Sequence, residues 1–416
     1  MNAPPIIALT SFASNPHPHP PITHNVHPHR HHYYRPRRPL TTTLLQTPTP
    51  LDNEVLINNL YTASTPLDLH QADGGLLVTH PQVLGDGVAG RVVAVGPTAT
   101  RLKVGDYVFG FTWRTQKEKA FQDLVCAPEF LVARVVDAGV EEGNGEGQGK
   151  GEVQEGINER LKALVTVPNN FVSAWHALVT DLGIALSWPI PKFDENEDRT
   201  KTILVWGGSG SVGQYALQIL RAYGYQNVYA TASKRNAELV RECGAKGVFD
   251  YSDPHVVEAI VKELGTVDLV LDCIGHLSGT LAPISRIAKA GARVAVMLPV
   301  IVRDAAEGVK PEFAMDPSSV VRWEEGVEVR DVRTHFYLEN AMHREMLQPV
   351  IMPELVRRGI VKPNRQRVVE GRTMVERAEK ALGLLRGKGL SGERAVWKVS
   401  DVEARDLGWD GEVDER

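Results

Sequence analysis

"TILVWGGSGSVGQYALQILRAYG", residues 202–224, decides the fold. Its opening, Thr202 to Gly208, is nearly all apolar over the length of a strand, as a strand covered on both faces of a parallel sheet must be. From Ser211 the apolar residues recur at helical spacing. Between the two stands Gly208-x-Gly210-x-x-Gly213. Glycines at these offsets let backbone N–H groups approach a pyrophosphate at the positive end of the helix. The stretch therefore assigns a dinucleotide to Gly208, Ser209, Gly210, Ser211, Val212 and Gly213.

The chain that follows repeats the alternation. "NVYATAS" reads as a second strand, "RNAELVRECGA" as a helix, "GVFDY" as a third strand, "PHVVEAIVKELG" as a helix, "VDLVLDCIG" as a fourth strand and "ARVAVML" as a fifth. Such alternation predicts a doubly wound parallel sheet, an α/β Rossmann domain over 166–330. An NAD-binding sheet places Asp or Glu about 20 residues beyond the glycine loop to take the ribose hydroxyls. Between Asp198 and Glu238 there is no acid, and Ser233, Lys234, Arg235 and Asn236 stand at the second strand's end. Those donors suit a 2′-phosphate, so NADPH is the expected cofactor.

Upstream, from Glu54 to Val135, short β-branched runs alternate with Gly, Pro and Asp, the pattern of a small antiparallel barrel. "PIIALTS" near the N-terminus reads as that domain's first strand. The His/Pro tract behind it, near 15–40, carries no acid and several arginines. Its prolines forbid the amphipathic helix of a mitochondrial presequence, leaving a disordered insertion or an adventitious metal-binding tract. The Gly/Glu tract near 140–157 reads as a second disordered insertion. The expected division is a catalytic barrel domain over 1–165, the Rossmann domain, and a return to the barrel over 331–416 ending in the strand "ERAVWKVS".

A chain of 416 residues, 43% hydrophobic and 23% charged, has the size and composition of a two-domain globular protein. The net charge of −5 gives no electrostatic reason to expect nucleic acid. No apolar run reaches the roughly 18 residues of a membrane helix. Cys126, Cys243 and Cys273 form no disulfide framework and read as free thiols, which points to a reducing compartment, the cytoplasm.

"VLGDGVAGRVVAVG", residues 83–96, holds Gly85, Gly90 and Gly96 at the offsets of a tight turn entering a bent strand. Together with "ASTPLD", "AFQDLV", the glycine loop, "LDCIG" and the closing "VVEGRTMVERAEKALGLLRGKGLSGERAVWKVS", it resembles the medium-chain dehydrogenase/reductase superfamily along nearly the whole chain. The resemblance implies a GroES-like barrel before the Rossmann domain. Zinc alcohol dehydrogenases of that family read G-H-E-x-x-G-x5-G here, whereas this chain has Asp86 for the His and Gly87 for the Glu. One carboxylate does not make a three-ligand zinc site, so no catalytic metal is expected.

The chain is closer to the zinc-independent branch, the stand-alone enoyl reductases that serve polyketide synthases and the oxidoreductases of toxin clusters. That likeness implies nicotinamide contacts near Ser173-Ala174-Trp175 and beside Cys273 and Ile274, with Tyr251 at the adenosine phosphate. Where relatives read N-P-x-D-W-K beside the substrate, this chain has Thr65-Pro66-Leu67-Asp68-Leu69-His70. His70, Asp68 and nearby Tyr61 are the catalytic candidates. His70 is either a proton donor or thioester-binding group, or an exposed loop histidine.

Without a metal to hold charge on oxygen, a conjugated acceptor that spreads its charge into an enolate is favoured. The expected reaction is hydride transfer from NADPH to the β-carbon of an α,β-unsaturated carbonyl or enoyl thioester. The substrate is a small molecule or carrier-bound acyl group, and a polyketide synthase is the transient partner. A quinone or aldehyde reductase of the same fold, and a non-catalytic NADPH-binding protein, are the alternatives.

Overall fold

The computed structural model describes residues 6–11, 39–79, 81–136, 150–191, 199–305 and 309–400. The His/Pro tract of 15–40 falls almost wholly outside them, as do residues 137–149 of the Gly/Glu tract. The remainder of that second tract departs from expectation. Lys150–Leu164 is a helix, because Ile157, Leu161 and Leu164 recur at helical spacing once the glycine run ends.

Six parallel strands form the cofactor-type sheet, in the spatial order Gly247–Phe249, Val228–Thr231, Ile203–Trp206, Leu269–Asp272, Arg293–Met297 and Glu328–Val332. The direction of winding reverses between Ile203–Trp206 and Leu269–Asp272. Ligands of doubly wound sheets bind in the crevice outside the strand ends at that reversal. The sixth strand adds to the five read from sequence. It lies at the sheet's edge and carries Glu328, Arg330 and Asp331, so it lacks the apolar run of its inner neighbours.

The second sheet is barrel-like and organised by the long strand Glu54–Ala63, which pairs with Gly87–Val95, Leu124–Pro128 and the returning strand Glu393–Lys398. Tyr107–Phe111 and Val132–Arg134 extend it on one side, Arg365–Val368 on the other. The chain thus combines a GroES-like barrel with a Rossmann sheet. Gly90 shows why the glycine frame is needed: a Cβ there would lie 1.9 Å from the Asn58 carbonyl oxygen of the facing strand. The expected N-terminal strand is present as Ile6–Ser11, paired with Thr41–Leu45 and Gln82–Val83.

One apolar core joins the sheets, running from Phe109 and Phe111 through Trp175 to Val205 and Leu217. Buried Arg394 reinforces the junction by donating to the carbonyls of Ala63, Ser64 and Thr166 at 2.7, 3.3 and 2.9 Å. Among the described residues no helix is long and apolar enough to cross a membrane.

Candidate active site

The glycine loop sits at the sheet's point of reversal. Gly207 has φ +85°, and its N–H and that of Gly208 donate to Thr231 of the neighbouring strand at 3.0 and 2.8 Å. The helix Ser211–Ala222 begins directly after Gly210. A Cβ on Gly213 would stand 2.4 Å from the Gly207 oxygen and 2.8 Å from Gly208 Cα, so only glycine lets the helix lie this close to the loop. The Ser211 hydroxyl is engaged elsewhere, accepting from Asn170 Nδ2 at 2.7 Å and donating to Asn364 Oδ1. What the loop offers an anion is its backbone N–H groups at the helix's positive end. Val212 and Ser209 flank it, half-buried.

At the end of the second strand, Lys234 and Arg235 are exposed and Ser233 is half-buried. Asn236 is buried, with its amide donating to Ser391 Oγ at 2.8 Å, so it fastens the C-terminal loop rather than joining the two cations. Tyr251, 51% exposed, follows the adjacent third strand. A cationic, hydrogen-bonding edge results, suited to a phosphate on a ribose.

Cys273 and Ile274 follow the fourth strand, opposite the glycine loop. Ile274 is 44% exposed, and its side chain covers one face of Gly207. Buried Asp272 shapes the turn, accepting from the N–H groups of Ile274 and Gly275 at 3.0 and 3.1 Å and from the Thr280 hydroxyl at 2.5 Å. The sequence reading quoted this aspartate without giving it a role. Burial, and then the charge of Asp272, push the Cys273 thiol up, so it is a poor nucleophile. Burial likewise pushes Cys126 to about 12 and Cys243 to about 11. Ser173 is buried, donating to the Asn169 carbonyl at 2.9 Å and accepting from the Thr334 hydroxyl at 3.2 Å.

His70 lies on the helix Pro66–Gly74 rather than in a loop. It lines a cavity of about 380 Å³ with Leu69, Ile301, Phe313 and Arg386. Phe313 meets the imidazole edge-on at 4.9 Å between centroids. Burial lowers the histidine to about 4 against the opposing pull of Asp304 and Asp73, so near pH 7 it is a neutral N–H donor and not an imidazolium. Ion pairs frame the cavity: Arg386 grips Asp73 at 2.7 and 2.8 Å, and Asp304 pairs with Lys388 at 2.9 Å.

The other two catalytic candidates stand apart from this cavity. Asp68 is the third residue of the helix and closes a capping box, accepting from the Thr65 N–H at 2.7 Å and hydroxyl at 3.1 Å. Tyr61 is buried with the Lys162 ammonium 5.6 Å from its ring centroid. Neither lines the cavity.

The glycine frame holds what the sequence reading missed. Asp86 and Lys119, 1% and 6% exposed, form an ion pair of 2.7 Å. Bonds from Ala120 and Phe121 to the carbonyls of Gly85 and Leu84, both 2.8 Å, place the two side chains together. Nothing local marks Lys119 for this; the signal lies in a pairing 33 residues away. Zinc does not fit this donor set. Gly87 has no ligand atom, an ammonium occupies one oxygen of Asp86, and among the described residues no three His, Cys, Asp or Glu are grouped to hold a metal.

The family model for the alcohol dehydrogenase GroES-like domain matches residues 51–148, and that for the zinc-binding dehydrogenase matches residues 211–298. A trans-enoyl reductase of Aspergillus japonicus is 32% identical over 227 residues, 53% of this chain and 59% of that protein. A trans-enoyl reductase of Fusarium heterosporum is 27% identical over 358 residues, 83% of this chain and 92% of that protein. The chain spans more than half, but less than two thirds, of the length of several curated relatives that it matches. The solved structure of Escherichia coli quinone oxidoreductase complexed with NADPH superposes with a TM-score of 0.64 at 14% identity, covering 94% of this chain and 99% of that one. At that identity the likeness is one of fold.

Proposed function

Taking as premise that the chain belongs to the medium-chain dehydrogenase/reductase superfamily of NAD(P)-dependent oxidoreductases, we propose that it is an NADPH-dependent, zinc-independent reductase of α,β-unsaturated carbonyls or enoyl thioesters. The observation that carries this reading is the Asp86–Lys119 pair. It occupies the metal frame of a dinucleotide scaffold with a neutral ion pair, leaving no ligand set to polarise an isolated ketone. A conjugated acceptor spreads its developing charge and is satisfied by hydrogen-bond donors.

The backbone N–H groups of Ser209, Ser211, Val212 and Gly213 would hold the diphosphate, the Gly210 N–H being engaged by the Gly207 carbonyl at 2.9 Å, with Lys234, Arg235 and Ser233 at the 2′-phosphate, Tyr251 beside the adenosine and Ser173, Cys273 and Ile274 along the nicotinamide ribose. Bound there, the dinucleotide supplies the hydride. Helix Pro66–Gly74 and Phe313 wall the substrate cavity, excluding water and orienting the acceptor. His70, neutral at working pH, donates a hydrogen bond to the carbonyl or thioester, and water supplies the α-proton. We assign the substrate to small or carrier-bound acyl compounds, with a transient polyketide synthase partner and a cytoplasmic setting. The likeness to trans-enoyl reductases and the unpaired thiols support these assignments.

Replacing Lys234 and Arg235 together by alanine tests the cofactor. Loss of two charge-assisted bonds should weaken NADPH binding by about 10- to 100-fold and change NADH binding by less than about threefold. Fluorescence titration of both nucleotides reads the difference. Tighter NADH than NADPH binding by the parent protein contradicts the assignment.

A further inference from the structure

We propose that the Lys119 ammonium binds the oxygen on which negative charge develops during reduction, taking the electrophilic role that a metal fills in zinc-dependent scaffolds. The proposal rests on the reductase reading above. Its starting point is an imbalance of donors and acceptors. An ammonium has three protons. Lys119 is 6% exposed, and one acceptor, Asp86 Oδ1 at 2.7 Å, is the partner of its Nζ among the described residues. A buried cation with unpaired N–H groups is costly unless something accepts from them.

The surroundings point to an oxygen-bearing ligand. The Thr112 hydroxyl is buried without a hydrogen-bond partner among the described residues and is a second donor that an oxygen could use, whereas Asp86 Oδ2 and Asp68 Oδ1, likewise unpaired there, are acceptors. The Thr112 N–H donates to the Asp86 carbonyl at 2.9 Å, so this unpaired hydroxyl belongs to the same corner of the barrel. Asp68, whose carboxyl feels the charges of Asp86 and Lys119, caps the helix that carries His70, although Asp68, Asp86 and Lys119 do not themselves line the cavity. His335, half-buried, feels the charges of Asp86 and Lys119; Trp113 lies with its ring centroid 5.4 Å from that imidazole and stacks on Phe111 at 4.3 Å. A flat conjugated group fits against such a wall. The charged and titratable groups felt at this corner are Asp86, Lys119, Asp68, His335 and Arg394, and of these Lys119 is the ammonium.

The chemistry balances without further reactants. A C–H bond forms at the β-carbon with hydride from the dihydronicotinamide, and the C=C pair moves toward the carbonyl, leaving an enolate oxygen. A Lys119 N–H donates to that oxygen and keeps its proton. Water then protonates the α-carbon.

The test uses Lys119→Met combined with Asp86→Leu, which removes both charges at similar volume. Two readouts are taken: calorimetric titration of the NADP⁺-loaded protein with trans-2-butenoate, a conjugated carboxylate, and steady-state reduction of the matching enoyl thioester. Butenoate affinity should fall at least about tenfold, and kcat by about 10²- to 10³-fold with little change in KM, the loss typical of one oxyanion donor. Affinity and kcat both within about threefold of the parent overturn the proposal. If this pair does not fold, Lys119→Gln with Asp86→Asn is judged by the same two readouts. A parent protein that reduces neither enone nor enoyl thioester refutes the reductase reading alone, and the butenoate titration still decides whether Lys119 binds oxygen.

Discussion

Gly213→Ala is expected to abolish tight NADPH binding, raising Kd by at least about 100-fold, and to lower stability by roughly 1–3 kcal/mol, the usual range for overpacking. The new methyl would overlap the Gly207 carbonyl at 2.4 Å and Gly208 Cα at 2.8 Å. Backbone atoms have no rotamer through which to yield, so the helix must slide away from the loop. That movement separates the N–H groups that must converge on one diphosphate. Gly383→Ala is the control. It lies inside the helix Met374–Arg386, where a Cβ meets nothing within 4 Å, and alanine there should stabilise by about 0.5–1 kcal/mol. Nucleotide titration and thermal melting of both variants separate loop geometry from a general effect of added bulk.

The second large effect is on stability. Lys119→Met alone should cost about 3–5 kcal/mol near pH 7, because it leaves the buried Asp86 carboxylate without its partner. Adding Asp86→Leu should recover most of that loss, since an apolar pair of similar volume replaces the ion pair. The two melting curves read the prediction, and equal destabilisation of single and double variants contradicts it. The pH dependence has a definite sign. Burial and then the charge of Asp86 raise Asp68 to about 7, above its unfolded range near 4. Its protonated form therefore contributes stability that is complete below about pH 4 and lost as pH rises through about 7. Removing the Lys119 cation, which opposes that rise, should steepen the loss.

Sequence legibility followed the range of the interactions. The glycine loop, its strand and its helix were readable because apolar period and glycine offsets are local. The four inner strands and the short edge strand Gly247–Phe249 were readable for the same reason, while the opposite edge strand Glu328–Val332 was hidden by its charges. Helix Lys150–Leu164 was masked by the glycine run beside it. The resemblance to the superfamily pointed to the neighbourhood of His70, yet the cavity needs the hairpin Val300–Arg303 with Glu312–Ala314 and the end of helix Met374–Arg386, which are distant in sequence. Loss of the metal ligands at Asp86 and Gly87 was visible in one line of sequence. The ammonium on Asp86 was not, because strand pairing creates that contact.

Hydride transfer itself is the most direct test. The metal-free protein is supplied with NADPH carrying deuterium at C4 of the dihydronicotinamide, in each of the two stereochemical forms, and with a trans-2-enoyl thioester. The saturated thioester is then examined by NMR and mass spectrometry. One form of the cofactor should place a single deuterium at the β-carbon and leave the thioester carbonyl intact. Deuterium at the carbonyl carbon, or no transfer until zinc is added, would contradict this account.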